Sequence, residues 1–261
     1  MVETEIDQQK INKDLLQKRF RCASKTYNSH ATVQKQMASC LVKMASKYIP
    51  NEQESMTELG CGTGLLSQQI LDNFTTKKYT ANDLVAEVEE NIVDIATQTQ
   101  TLFFNFIQGD AENISIPWQQ NVIWSGATIQ WIQDLDSFFL RLSSALNQQG
   151  FVAISSFDID NFSEIKTLTG KGINYKSMEE VLQFASLYFQ VLDYKAWHQQ
   201  LWFNTPRDVL KHMRFTGVNA ISKTRWSKSN LENFINSYEM FKQDEGYPLT
   251  YNPFVFILQK K

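Results

Sequence analysis

Polar and apolar positions along this chain change period several times. Residues 7–20 and 30–49 repeat apolar side chains every third or fourth position. In the second stretch Val33, Met37, Leu41, Met44 and Tyr48 share one face, the signature of an amphipathic helix. Pro50 closes it. From residue 55 short apolar runs alternate with longer amphipathic ones. Residues 55–59, 78–82, 103–108, 122–125 and 151–155 read as strands. Residues 65–74, the stretch leading to 97, and residues 135–146 read as helices. Such alternation implies right-handed crossovers and a doubly wound, mostly parallel sheet.

The last hundred residues behave differently. Residues 170–175 are loop-like, and Ser177 caps a helix over 178–188 with Glu180 at the capping-box position. Residues 189–204 are rich in aromatics and read as extended. Thr205-Pro206 opens another helix, a cap residue followed by proline at the first helical position. A further helix covers 226–242 and a final strand 254–258. The expected architecture is α/β: one sheet, N-terminal helices, and a helical cap inserted before the last strand. No repeat, low-complexity tract or Pro/Ser-rich linker divides the chain. It reads as one domain over 1–261, with an N-terminal helical segment (1–50), a ligand-binding core (51–156), a cap with late strands (157–250) and a last strand (251–261).

Composition narrows the function more than the fold. Of 261 residues, 43% are apolar and 20% charged, which excludes collagen-like, disulfide-scaffold and wholly disordered chains. A net charge of -3 argues against nucleic acid as the main partner. No apolar run approaches the roughly 20 residues of a membrane span, and the polar start is unlike a signal peptide. Cys22, Cys40 and Cys61 cannot all pair and lack metal-ligand spacing. No metal is expected, and the cytoplasm is the expected compartment.

The candidate chemistry begins at Glu58-Leu59-Gly60-Cys61-Gly62-Thr63-Gly64, between the first strand and its helix. Glycines there permit positive φ and close approach of a ligand to backbone, and the helix N-terminus offers unpaired N–H groups. The spacing G-x-G-x-G differs from the dinucleotide fingerprint. Asp83 ends the second strand, where a carboxylate can accept from both ribose hydroxyls, and Asp110 ends the third, where one can accept an adenine amino group. Strand C-termini share one edge of a parallel sheet, so these acids converge on the glycine loop.

These residues carry a resemblance. Residues 55–155 resemble the core of class I S-adenosylmethionine-dependent methyltransferases, a Rossmann-like fold. The resemblance implies cofactor contacts at Glu58, Gly60, Cys61, Gly62, Gly64, Asp83 and Asp110, with Leu84, Ala111, Glu112 and Ser125 beside them. A closer resemblance covers nearly the whole chain. Arg19-Phe20, Tyr27-Asn28-Ser29-His30-Ala31, Thr80-Ala81-Asn82-Asp83-Leu84, Ala127-Thr128-Ile129-Gln130-Trp131 and Leu168-Thr169-Gly170 are similar to the malonyl-[acyl-carrier protein] O-methyltransferase family of biotin synthesis. So are Thr216-Gly217-Val218-Asn219-Ala220, Arg225-Trp226 and Pro248-Leu249-Thr250-Tyr251. Departures are Gly126, where the family has Asn, Asn28 for Asp, and Gln148-Gln149 for Pro-Gly.

The resemblance implies methylation of the free carboxyl of malonyl-[acyl-carrier protein] or malonyl-coenzyme A, an early step toward the pimeloyl moiety of biotin. S-adenosylmethionine would be the donor and S-adenosylhomocysteine the product. A methyltransferase acting on another small carboxylate is the alternative; a non-catalytic binding module and a nicotinamide oxidoreductase are more distant ones. A carboxylate is ionised at neutral pH, so no general base is needed, only orientation and exclusion of water. Candidates for that work are Tyr27, Gln130 and Trp131, with Arg225 as a bidentate fork and Arg214 and Arg207 behind it. Two basic stretches flank the expected entrance. One carries Lys10, Lys13, Lys18, Arg19, Arg21 and Lys25; the other carries Arg207, Lys211, Arg214, Lys223, Arg225 and Lys228. With His30 they are candidates for binding the substrate and its acidic carrier protein. His198 and His212 read as structural or surface.

Overall fold

The computed structural model describes residues 12–170, 172–217 and 227–261. It opens with α1 (Lys13–His30) and α2 (Thr32–Ala45). Asn12 caps α1 by accepting the Leu15 amide. The helices break at Ala31, whose N–H still bonds to Tyr27 O at 2.8 Å. α1 therefore runs ten residues past Phe20, and the expected helix start at 7–11 lies outside the described residues.

The core follows as β1 (Glu52–Leu59), α3 (Leu65–Asn73), β2 (Thr75–Asp83), α4 (Glu89–Thr97), β3 (Phe103–Gln108), β4 (Gln120–Gly126), α5 (Leu135–Ala145) and β5 (Leu146–Phe157). Then come α6 (Ser163–Thr169), α7 (Met178–Tyr188), β6 (Phe189–Ala196), β7 (Gln199–Phe203), α8 (Pro206–Phe215), α9 (Lys228–Tyr238), β8 (Tyr247–Tyr251) and β9 (Pro253–Lys260). The capping box at Ser177 and Glu180 forms at α7, and Thr205 with Pro206 opens α8.

Seven strands make one sheet in the order β3-β2-β1-β4-β5-β9-β6. The first five are parallel, and β9 runs antiparallel between β5 and β6. The doubly wound sheet expected from the alternating pattern is thus present, with two strands more complex at its far end. Residues 189–204 are not one extended stretch. They split at Trp197: β6 extends the main sheet as an edge strand, and β7 pairs with β8 in a separate two-stranded ribbon. β6 is half exposed and lacks an apolar alternation, and β8 contains a proline; neither carries a strong strand signal. The inserted cap is therefore mixed, α6, α8 and α9 around a β-ribbon, rather than helical. Helix α9 stops at Tyr238 and gives way to a 3-10 turn at Glu239–Phe241.

Apolar side chains fill both faces of the sheet. One cluster joins α2, α3 and α4 to the sheet through Leu41, Ile70, Ile92 and Trp124. The opposite cluster joins α5 and α7 through Phe139, Leu142 and Ala185 to Phe254 and Phe256 of β9. A third, centred on Tyr251, Phe162 and Val209, seats the cap against α1 and α2. Phe256 is fully buried and stacks on Phe254 at 5.8 Å. Truncating Phe256→Ala should cost about 3–5 kcal/mol, read as a lowered urea midpoint with an unchanged m-value.

Candidate active site

The site forms where the C-terminal ends of β1 to β4 reach one edge of the sheet. After Leu59 the chain turns back sharply: the Gly60 and Cys61 amides both donate to Asn82 O, at 2.8 and 2.9 Å. Gly64, at φ 89, is the N-cap of α3 and supplies no side-chain cap, so the first amides of that helix are left for a ligand. A side chain at Gly64 would meet Ile95 Cδ1 at 2.5 Å, whereas at Gly62 (φ 52) a Cβ would meet nothing within 4 Å. The loop is tight against the protein at one glycine and open at the next.

Three acids gather around it. Glu58 is fully buried; Ser67 Oγ (2.5 Å) and the Tyr79 hydroxyl both donate to its Oε2. Burial pushes its pKa up to about 7, against those two hydrogen bonds. Its other oxygen, Oε1, is buried without a partner. Asp83 accepts the Gly62 amide at 2.8 Å and the Val85 amide at 2.9 Å, yet burial still raises its carboxyl above the usual range. Asp110 accepts from Lys13 Nζ at 3.1 Å, and the same ammonium reaches Glu112 at 2.8 Å and Trp131 O at 2.7 Å.

A cleft runs between this edge and the two N-terminal helices. Its core wall includes Glu58, Gly60, Cys61, Gly62, Asp83 and Leu84, continuing through Asp110 and Ala111 to Trp131. Its roof is α1, which presents Lys13, Leu16, Phe20, Ser24 and Tyr27 from one helical face. Four residues that line this cleft each carry a buried polar atom with no partner among the described residues: Glu58 Oε1, Asn82 Oδ1, Gln34 Oε1 and Trp131 Nε1. Burying an unpaired polar group costs about 1–3 kcal/mol, so the wall of the cleft carries a local polar strain.

The other expected residues sit elsewhere. The Gln130 amide is occupied: Nε2 donates to Ala127 O at 2.6 Å and Oε1 accepts from Ser156 at 3.0 Å. It faces the sheet, not the cleft. Ser125 is buried beneath the loop, its hydroxyl on Leu59 O at 3.3 Å. Gly64 lies at the α3 N-terminus, and Glu112 lies behind Asp110 in a surface depression. His30 bonds to Thr26 O at 2.9 Å and packs on the Phe215 ring at 4.5 Å, away from the cleft. Arg207, Lys211 and Arg214 are exposed on one face of α8, which packs on α1 through Thr26 and Phe215 O. Arg225 and Trp226 lie outside the described residues, as do Lys10 and Lys223.

The sequence does not single out Gln34 or Asn82, and it offers Lys13 only as one of the carrier-docking cations. Gln34 is a polar residue on the buried face of α2, an anomaly that periodicity can expose. It reaches the cap through Tyr251, whose hydroxyl also meets His212 Nε2 at 2.8 Å. Burial lowers the His212 pKa to about 4, so this histidine is neutral and structural. Gly126 has its own explanation: a Cβ there would lie 2.8 Å from Leu66 Cδ2, so Leu66 takes the space an asparagine side chain would need. No cluster of three or more His, Cys, Asp or Glu suited to a metal occurs among the described residues, nor a helix long and apolar enough to cross a membrane.

A Rossmann-like sheet with an acid at each of three successive strand ends defines a methyltransferase-type protein, and residues 57–154 match the methyltransferase domain family. Solved structures agree on the fold. The YcgJ protein of Bacillus subtilis superposes with a TM-score of 0.61 at 13% identity, covering 87% of this chain and 98% of that one. Phosphoethanolamine N-methyltransferase 2 of Haemonchus contortus, solved with S-adenosylhomocysteine, gives 0.51 at 18% identity over 83% and 51%. Full-length relatives are more specific. Malonyl-[acyl-carrier protein] O-methyltransferases of Chlorobium phaeovibrioides and Calditerrivibrio nitroreducens are 37% and 35% identical over 96% and 92% of this chain, and 97% and 94% of theirs. The chain belongs to the malonyl-[acyl-carrier protein] O-methyltransferase family.

The raised pKa of Glu58 has a direct consequence for stability. Between the ordinary 4.5 and about 7 the folded protein keeps a proton that the unfolded chain has lost, so stability falls as pH rises through that window. Glu58→Gln removes the titration. Its stability relative to wild type should be higher at pH 8 than at pH 4 by on the order of 3 kcal/mol, measured by thermal or urea melts at both pH values.

Proposed function

We propose that the protein transfers a methyl group from S-adenosylmethionine to the free carboxyl of malonyl-[acyl-carrier protein], giving the methyl ester used to start the pimeloyl chain of biotin. One observation carries this reading: Glu58, Asp83 and Asp110 line one cleft together with Trp131. The three acids supply acceptors, whereas Trp131 Nε1 is a donor with no partner among the described residues. The methyl donor brings an ammonium, two ribose hydroxyls and an exocyclic amine, all of which need acceptors. The acyl substrate brings a carboxylate, which needs a donor.

In this reading Asp83 holds the ribose, Asp110 the base, and Glu58 with the open loop at Gly62 the amino-acid end. The donor, when bound, supplies a methyl group already activated by its sulfonium. The chain's own task is then to hold a carboxylate oxygen about 3 Å from that methyl, in line with the breaking bond. Such orientation is worth roughly 7–11 kcal/mol of barrier. Trp131, fixed edge-on against Phe20 at 5.9 Å, offers one N–H from an otherwise apolar wall, enough to orient an acid group without quenching the attacking oxygen. Tyr27 stays protonated because burial, then the Asp83 charge, raises its pKa; it serves as a second donor. Arg225 is assigned the unreactive oxygen. No group in the cleft needs to act as a base.

Docking of the carrier falls to the exposed cations. Arg207, Lys211 and Arg214 share one face of α8, and Lys18, Arg21 and Lys25 one face of the neighbouring α1. Acyl carrier proteins are acidic, so this surface steers association. Incubation with malonyl-[acyl-carrier protein] and methyl-labelled donor should yield a labelled, base-labile ester; its absence refutes the assignment. In Lys211→Glu with Arg214→Glu the KM for malonyl-[acyl-carrier protein] should rise at least about tenfold, and the KM for malonyl-coenzyme A by much less.

A further inference from the structure

Lys13 lies in a basic stretch, yet it is not part of a solvated face. Its ammonium has three N–H donors and three partners: Asp110 Oδ1 at 3.1 Å, Glu112 Oε2 at 2.8 Å and Trp131 O at 2.7 Å. All three donors are used, so none remains for a ligand. Asp110 Oδ1 also accepts the Glu112 amide at 3.1 Å, while nothing among the described residues donates to Oδ2. Lys13 and Asp110 line the main cleft on one side and a shallow outer depression on the other. Their ion pair is the partition between the two. Glu112 is held in turn, its Oε1 accepting the Gln133 and Asp134 amides.

We infer that Lys13 is a positioning residue of the base pocket: by saturating Asp110 Oδ1 and drawing Glu112 aside, it leaves Asp110 Oδ2 as the acceptor for an exocyclic amino group, so that the pocket takes a 6-aminopurine and rejects a 6-oxopurine. This rests on the cofactor assignment made above and adds the residue that enforces its base specificity. A 6-oxo group would set an acceptor against the carboxylate oxygen, and Lys13 has no donor left to rescue it. The same contacts tie the N-terminal end of α1 to the turn that carries Trp131. Gln17 Nε2 on Leu84 O at 2.6 Å fastens the next turn of the helix beside Asp83. Loss of Lys13 leaves Asp110 and Glu112 as adjacent uncompensated carboxylates and opens the partition to water.

The test is calorimetric binding of S-adenosylhomocysteine and S-inosylhomocysteine to the full chain, as wild type and as Lys13→Met, Lys13→Arg, Asp110→Asn and the Lys13→Met/Asp110→Asn pair. Wild type should bind the adenosyl compound at least about tenfold more tightly than the inosyl one. Lys13→Met should weaken the adenosyl compound about tenfold and narrow that preference. Lys13→Arg, which keeps the charge and the fold but not the three-way contact, should fall between. In the Asp110→Asn background Lys13→Met should cost no more than about twofold, because both act through one carboxylate. Equal binding by wild type and Lys13→Met overturns the inference, as do additive losses, which would mark Lys13 as a general brace for α1. If wild type binds neither compound, the cofactor assignment falls with it, and the two failures are told apart.

Discussion

A parallel sheet brings all its strand C-termini to one edge, and here that edge collects acids in a place sheltered from water. Carboxylates taken out of water must be neutralised, hydrogen-bonded or paired. The protein uses a different device for each. Glu58 shares one oxygen with Ser67 and Tyr79, and burial brings its pKa to about 7. Asp83 is held by the amides of Gly62 and Val85. Asp110 and Glu112 are held by the ammonium of Lys13. For Glu112 the burial penalty is outweighed by Lys13 and two backbone amides, so its carboxyl stays below the ordinary range. The glycine loop, the roof helix and the cleft between them are all arranged around this requirement.

Much of that arrangement is legible in the sequence because it is local. The glycine spacing, the acids at successive strand ends and the helix caps at Ser177 and Thr205 each lie within a few residues of the element they specify. What periodicity does not reach are contacts decided by tertiary packing. Residues 189–204 have extended character throughout, but nothing in them says that Phe189–Ala196 joins the main sheet while Gln199–Phe203 pairs with Tyr247–Tyr251. The two partners lie roughly 45 to 70 residues downstream in sequence and are chosen by tertiary packing.

The candidate site divides in the same way. The cleft-lining loop and acids are readable from their place at strand ends. Gln130 looks like a substrate contact because it precedes Trp131, yet the tight turn after β4 points its amide at Ala127 O and Ser156. Lys13 looks like one cation among several on a surface helix. Its role is visible only when Asp110, Glu112 and Trp131, about a hundred residues away, are seen around it. Gln34 lies between: its polarity on a buried face is an irregularity in the pattern, and the fold shows that it joins Tyr251 of the cap to the cleft.

The roof helix and the residues it rests on stand far apart along the chain. Lys13 bonds to residues 110, 112 and 131, and Thr26 to the carbonyl of Phe215, 189 positions on. Each of these contacts closes a long loop, whose entropy must be met before the contact can form. The roof is therefore a non-local element, set in place by parts of the chain that its own sequence does not touch.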